Sequence, residues 1–416
     1  QDTVSWNALI SGYQQQNYGY EALCCFDRMR NECILPNMIT FLCVLKVCGQ
    51  AKEIEKGKGI HIEVVRRRSL LELEKNVTLE NTLVDMYAKC GILENAKQAL
   101  EDIPIRDVVS WNVMISGYVQ HEHFHEALTC FQLMQAEGLF PDSITFICIL
   151  KCSSNLGSID IGEQIHHSIS TMGLLEKDNI VLGTAVVDMY AKCGMLAKAQ
   201  ELLEELPIRD IVAWNALIGG YIHHGQGREA LTSFEHMKCE GYSPNIVTFI
   251  FILKACGIIK AIDKGKEIHE KVDSIGLLSK DVALGNALID MYVKCGMSSK
   301  AKEVLEKLPL RNIVSWNALI AGFAQEEDQC HKAFKCFEQM QSDGFSPDSI
   351  SLIGILKACA IGNEIEIGVK IHDEIVSRAL LGKDTLLGNS LVHMYAKCGR
   401  LVRAQEVLDE LPIQDV

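Results

Sequence analysis

Along residues 108–142 apolar and polar positions alternate in two blocks. Val108–Val119 carries apolar residues at helical spacing, and a polar break follows at His121-Glu122-His123. Glu126–Ala136 then places Ala127, Leu128, Phe131 and Met134 on one face, and Gly138 and Pro141 end the block. The pattern predicts a helix, a short turn and a second helix. It recurs from one end of the chain to the other. All eight prolines fall where such a unit closes, a place where a helix loses nothing to the missing N–H. A single hairpin cannot bury its own apolar face, so neighbours must stack. The expected fold is all-α, an α-solenoid of about twelve helix-turn-helix units with about 24 helices.

Self-alignment gives the unit lengths. VSWNALISGY at 4–13 returns as VSWNVMISGY at 109–118, VAWNALIGGY at 212–221 and VSWNALIAGF at 314–323. A second series, MYAKCG at 86–91, 189–194 and 394–399, includes MYVKCG at 291–296. A third reads ITFLCVLKVC, ITFICILKC, VTFIFILKAC and ISLIGILKAC. Three related units therefore make a triplet. One array of four triplets is expected, at 3–107, 108–210, 211–312 and 313–415, with Val416 opening a further unit. Insertions fall around Arg66–Glu74 and near Glu326–Gln329.

Charge argues against the usual nucleic-acid binder, because the 416 residues carry a net −14 with a pI near 5.4. Net charge governs solubility, however, while local placement decides a groove. The one dense basic cluster is Arg66-Arg67-Arg68. Seventeen cysteines include no Cys-x-x-Cys pair, and many keep the repeat register, so they read as reduced packing residues rather than metal ligands or disulfides. No run of eighteen apolar residues exists, so no membrane span is expected. The chain starts at Gln1 without a signal or transit peptide and reads as a fragment or mature form.

Two families of helix pairs have about this length. The Trp-x-x-Leu-Gly-x-x-Tyr pattern of tetratricopeptide repeats is absent. The phrases VSWNALISGY, MYAKCG and SPDSI instead resemble the pentatricopeptide-repeat (PPR) family, in its plant-type subclass with alternating P, L and S motifs. The resemblance covers essentially the whole chain and implies that the α-solenoid is right-handed. It implies sequence-specific binding of single-stranded RNA, one base per repeat, as the recognition part of an organellar C-to-U editing or processing factor. It also implies a mitochondrial or chloroplast address, and as partners editing-complex proteins or a deaminase domain in cis or trans. No cofactor is implied. The competing reading is a protein-interaction scaffold, which acidity suits.

The fifth residue of each P and S unit is polar: Asn7, Asn81, Asn112, Thr184, Asn215, Asn286, Asn317 and Asn389. In L units it is Leu42, Ile147, Ile250 or Ile353. Asn inside a helix costs roughly half a kcal/mol against Ala. Its recurrence points either to a tether on the next hairpin or to an amide matching a base edge. The last residue of these units is Asn37, Asp107, Asp142, Asp210, Asn245, Asn312, Asp348 or Asp415. Asp and Asn there are good N-caps, and by the resemblance they complete a two-residue base code. Asn with Asp implies uracil, Asn with Asn a pyrimidine, and Thr with Asp guanine. Read 5′ to 3′ the target is Y-N-U-U-N-G-Y-N-Y-U-N-U, pyrimidine-rich, with N left open.

The second residue is apolar or Thr in every unit, as in Val4, Val109, Val181, Val212 and Val314. It either packs in the core or, by the resemblance, sandwiches bases. The thirteenth residue of each S unit is a lysine, Lys89, Lys192, Lys294 or Lys397. It shares a helix stripe with residues two, five and nine, and is either solvated or placed for phosphate. Negative charge is then expected mainly on second helices, as at Glu201, Glu204 and Glu205. His61, His166, His269 and His372 recur about 103 residues apart and read as structural or surface residues, not a metal site. His121, His123 and His125 are expected to face solvent. His61-Ile62-Glu63 matches half of a deaminase signature, but no Pro-Cys-x-x-Cys completes it. No catalytic residue is assigned.

Overall fold

The structure, a computed structural model, describes residues 2–67, 76–175, 179–309, 311–325, 327–381 and 384–411. Arg68, most of the insertion at 66–74, Glu326, Asp415 and Val416 lie outside the described residues. The described residues form 24 α-helices and one short 3-10 turn at Glu327–Gln329, with no strand among them. They cluster into two compact units, 1–209 and 210–416, each of twelve helices.

In the first unit the leading helix of each hairpin is α1 (Thr3–Gln15), α3 (Met38–Ala51), α5 (Val77–Lys89), α7 (Val108–Gln120), α9 (Ser143–Leu156) or α11 (Ile180–Lys192). Between them run α2 (Gly19–Asn31), α4 (Ile54–Arg67), α6 (Leu93–Glu101), α8 (Phe124–Ala136), α10 (Ile159–Thr171) and α12 (Leu196–Glu205). The second unit repeats this plan from α13 (Ile211–His223) to α24 (Leu401–Glu410). Within each unit successive leading helices pack on one another, and each following helix packs on its own and the next leading helix. Two layers result, and the leading-helix layer is the continuous one.

Helix starts are set locally. Asn37, Asp107, Asp142, Asn245, Asn312 and Asp348 each cap a leading helix with Oδ1, and the Thr or Ser three residues later bonds back to the cap N–H. Helix ends use the left-handed region. Gly91 of MYAKCG turns the chain at φ +80° between α5 and α6, a conformation that disfavours residues with a Cβ. All four tryptophans are buried, and the Trp111 indole N–H donates to Glu137 Oε2 at 2.9 Å.

The recurring histidines lock L units to S units. Nδ1 of His61, His166, His269 and His372 lies 2.8, 3.0, 2.8 and 2.9 Å from the hydroxyl of Tyr87, Tyr190, Tyr292 and Tyr395. Burial holds His166, His269 and His372 below the ordinary imidazole value. A folded value below the unfolded one means that stability is complete above about pH 6.5 and falls as pH drops through the lowered values. The melting temperature should therefore drop between about pH 7 and about pH 5, and a His166→Gln, His269→Gln, His372→Gln variant should flatten that drop. An equally steep drop in the variant would show that other groups carry it.

His121 departs from expectation. Its Nε2 lies 2.8 Å from the Ala88 carbonyl oxygen, so it docks the turn after α7 onto α5 instead of facing solvent. His123 and His125 are exposed. All seventeen cysteines are free thiols. Burial pushes Cys48, Cys256 and Cys359 up to about 12, which leaves them unreactive. Cys33 and Cys239 are exposed and do not belong to the core.

Candidate nucleic-acid interface

The cap that starts each leading helix also holds the fifth-residue amide of the unit before it. Asn112 Nδ2 donates to Asp142 Oδ1 at 2.9 Å, and the Thr145 hydroxyl donates to Asn112 Oδ1 at 2.6 Å. Asp142 Oδ1 also accepts from Thr145 N at 2.9 Å and Thr145 Oγ1 at 3.0 Å. The same triangle joins Asn7, Asn37 and Thr40, then Asn215, Asn245 and Thr248, then Asn317, Asp348 and Ser351. Asn286 pairs with Asn312 and Ser315 in this way. Asn81 reaches Asp107 at 3.5 Å, and its Oδ1 is buried without a partner among the described residues.

The amides are thus tethers. Asn7, Asn81, Asn112, Asn215 and Asn317 are 6–8% exposed, Asn286 is half-buried and Asn389 is exposed. The tether does not use every group. In Asp142 the hydrogen bonds go to Oδ1, and Oδ2 has none among the described residues. In Asn37 and Asn245 Oδ1 likewise takes the cap bonds, leaving Nδ2 as the spare group. Accepted hydrogen bonds from Ser110 and Ser351 hold the Asp107 and Asp348 carboxyls below the usual carboxylate range, although burial opposes this. Both stay ionised acceptors. Thr184 and Asp210, of one S repeat, fall in different compact units. Thr184 Oγ1 is buried without a partner among the described residues, and Asp210 caps α13 through Ala213 N at 2.8 Å.

Two clefts open on the leading-helix layer of the first unit. One, about 260 Å³, is lined by Asn112 and Asp142, with Val109 and Ile144 among its walls and Asp85 and Lys89 on its edge. The other, about 290 Å³, is lined by Asn81 and Asp107, with Thr78, Val109 and Lys46. The valines are not core residues. Val4, Val109, Val181, Val212 and Val314 are 53–71% exposed, and so are Ile39, Ile144, Ile350 and Leu386 at 54–68%. Exposed apolar side chains thus recur at the second position of leading helices in each of the two units. The L-unit residues Leu42, Ile147, Ile250 and Ile353 are half-buried and offer no hydrogen bond.

Three of the four S-unit lysines are paired. Nζ of Lys89, Lys192 and Lys294 lies 2.7, 2.8 and 2.7 Å from Asp85, Asp188 and Asp290, and Lys397 has His393 in the aspartate's place. Sequence reading missed a second set. The ninth residue of every L unit is an exposed lysine: Lys46, Lys151, Lys254 and Lys357. Their recurrence in the ILK phrase was the available signal. Glu201, Glu204 and Glu205 are exposed on α12, a following helix. Among the described residues no group of three His, Cys, Asp or Glu side chains could hold a metal ion, and no helix is long and apolar enough to cross a membrane.

Stacked hairpins joined by cap-to-amide triangles define a helical-repeat protein of the α-solenoid class. The PPR repeat family model matches residues 1–50, 106–155, 209–257 and 311–361, and the PPR repeat model matches 184–211, 286–313 and 389–414. The chain belongs to the pentatricopeptide-repeat family. A chloroplastic pentatricopeptide repeat-containing protein of Arabidopsis thaliana is 33% identical over 95% of this chain and 45% of its own length. A mitochondrial one from the same plant is 31% identical over 99% of this chain and 58% of its own length. The chain spans about half the length of the curated relatives it matches. The crystal structure of the pentatricopeptide repeat protein PPR10 in complex with an 18-nt psaJ RNA element has a TM-score of 0.68 at 18% identity. That match covers 99% of this chain and 63% of PPR10 and shows the shared fold.

Proposed function

We propose that this chain binds single-stranded RNA sequence-specifically, one base per P or S unit, as the recognition part of an organellar RNA editing or processing factor. The Asn112–Asp142 cleft carries the reading. It sets a polar floor between two exposed apolar side chains, Val109 and Ile144. An unstacked base is a flat apolar plate with a polar edge, and such a cleft matches both features.

The spare groups supply the specificity. One N–H of Asn112 is used by Asp142, and the other can donate to the O2 carbonyl that uracil and cytosine share. The Asp142 Oδ2 acceptor then suits the N3–H of uracil. Where the last residue is Asn, as at Asn37, Asn245 and Asn312, a spare N–H donor suits the unprotonated N3 of cytosine. Thr184 with Asp210 is assigned to guanine, whose N1–H needs the acceptor. Asn389 and Asp415 are assigned to uracil, and the L units to no particular base. PPR10 with its RNA supports the substrate class, and the chloroplastic and mitochondrial relatives support an organellar address. The four triplets at 3–107, 108–210, 211–312 and 313–415 are proposed to act in order along one strand.

Selection of bound RNAs from a random pool tests this. The expected winners follow C-N-U-U-N-G-C-N-C-U-N-U from the 5′ end. In gel shifts Asn112→Ala should weaken that RNA at least tenfold, whereas Glu204→Ala on α12 should leave it unchanged. A pool that yields no preferred sequence at modest salt would leave the protein-scaffold reading in its place.

A further inference from the structure

Between their caps the leading helices carry more lysine than acid, although seven of them start on an aspartate cap. Within these twelve helices stand only four acidic residues, Glu80, Asp85, Asp188 and Asp290, and eight lysines. The lysines are of two kinds. Lys89, Lys192 and Lys294 are neutralised one turn away by aspartate. The stems of Lys89 and Lys294 are also packed. A Cβ at Gly49 would lie 3.3 Å from Lys89 Cδ, and one at Gly257 would lie 3.1 Å from Lys294 Cδ. Lys46, Lys151, Lys254 and Lys357 are exposed and make no ion pair among the described residues.

The uncompensated set sits where an RNA backbone would need it. Lys46 lines the Asn81–Asp107 cleft together with Asp85 and Asp107, and it comes from the unit before the one that reads the base. The next cleft is lined by Asp85, Lys89 and Asp142, and there Lys89 is already paired with Asp85. An exposed lysine without an ion pair among the described residues recurs in every triplet, in the L unit. The L units also have an apolar fifth residue that offers a base edge nothing.

We infer that the L repeats are phosphate clamps: Lys46, Lys151, Lys254 and Lys357 each bind the RNA phosphate at the L-to-S step, and the L units contribute backbone affinity in place of base identity. The inference rests on the RNA-binding reading above. It assigns these lysines a role that carries no sequence information, since a phosphate contact fixes register without reading a base. It also resolves how a chain of net −14 holds a polyanion, by four free cations placed at intervals.

The test is salt dependence. The full chain is titrated with a fluorescent twelve-nucleotide RNA, CUUUUGCUCUUU, at several salt concentrations. Each lost phosphate contact lowers the slope of log K against log salt by about 0.7 for a single strand, so Lys46, Lys151, Lys254 and Lys357→Gln together should lower it by about 2.8. The loss of affinity between about 50 mM and about 200 mM salt then shrinks by about fiftyfold. The same four changed to Arg should keep the wild-type slope, which separates charge from folding. Gln at Lys89, Lys192, Lys294 and Lys397 should move the slope less than half as far. Base preference in pool selection should not change in the L-unit variant. A wild-type slope in the L-unit Gln variant, with wild-type base preference intact, overturns this inference alone. An equal effect from the S-unit lysines overturns it too. A wild-type chain that binds no RNA at any salt removes the base-reading account and this one with it.

Discussion

Asp142→Asn should convert the fourth repeat from a uracil reader to a cytosine reader, with a change in relative affinity of about tenfold to a hundredfold for RNAs differing at that one base. The expectation follows from how the cap divides its atoms. Oδ1 of Asp142 accepts from Thr145 N, Thr145 Oγ1 and Asn112 Nδ2, which leaves Oδ2 for the cleft. An asparagine keeps Oδ1 and its three bonds and replaces Oδ2 with a donor. The chain already contains this outcome. Asn245 accepts from Thr248 N, Thr248 Oγ1 and Asn215 Nδ2 at 2.9, 3.0 and 3.3 Å. Because Asn and Asp cap equally well, the melting temperature should hardly move. Competition between RNAs with U or C at the fourth position decides it. Unchanged preference in a folded variant would mean that the last residue only caps.

Gly117→Ala and Gly12→Ala should move stability in opposite directions, although both glycines sit in the same phrase, ISGY. A Cβ at Gly117 would lie 2.6 Å from the Ala88 Cβ, well inside the 3.5–4.0 Å of ordinary carbon contact. Ala88 is buried on α5 and has no rotamer to change, so α5 and α7 must separate. Overpacking of this kind costs typically about 1–3 kcal/mol, against roughly 1 kcal/mol gained from helix propensity. At Gly12 a Cβ meets nothing within 4 Å. There only the propensity gain remains, so Gly12→Ala should stabilise by about 0.5–1 kcal/mol. Gly322, whose Cβ would lie 2.7 Å from Val293 Cγ2, should follow Gly117. Thermal melts of the three variants check the ordering, and a stabilised Gly117→Ala would show that the α5–α7 contact yields freely.

Much of this was legible before any coordinates. Repeating text located the hairpins, since a unit that cannot bury its own face must recur in order to fold. Proline and Asp or Asn placed their starts, because capping is local chemistry between residues three apart. The fifth and last residues stood out as unfavourable or special choices that kept returning. Other features depend on neighbours far away in the chain and could not be read. Asn112 both tethers and lines a cleft, since its partners Asp142 and Thr145 arrive from the next hairpin. Val109 has the composition of a core residue, and only the packing of layers leaves it exposed. His121 reads as a surface residue in the sequence, and only the packing of α5 brings the Ala88 carbonyl beside it.

The lysines show the division most clearly. The sequence determined by itself that lysines recur on the leading helices, that the units come in threes and that the chain is a helical-repeat protein. It did not determine which lysines are spent. Lys89 and Asp85 are four residues apart, a spacing that permits an ion pair without requiring one. Whether a cation is neutralised, buried under a neighbour or left to meet a ligand is decided by which atoms lie within a few ångströms, and in a stacked array those atoms come from the adjoining hairpins.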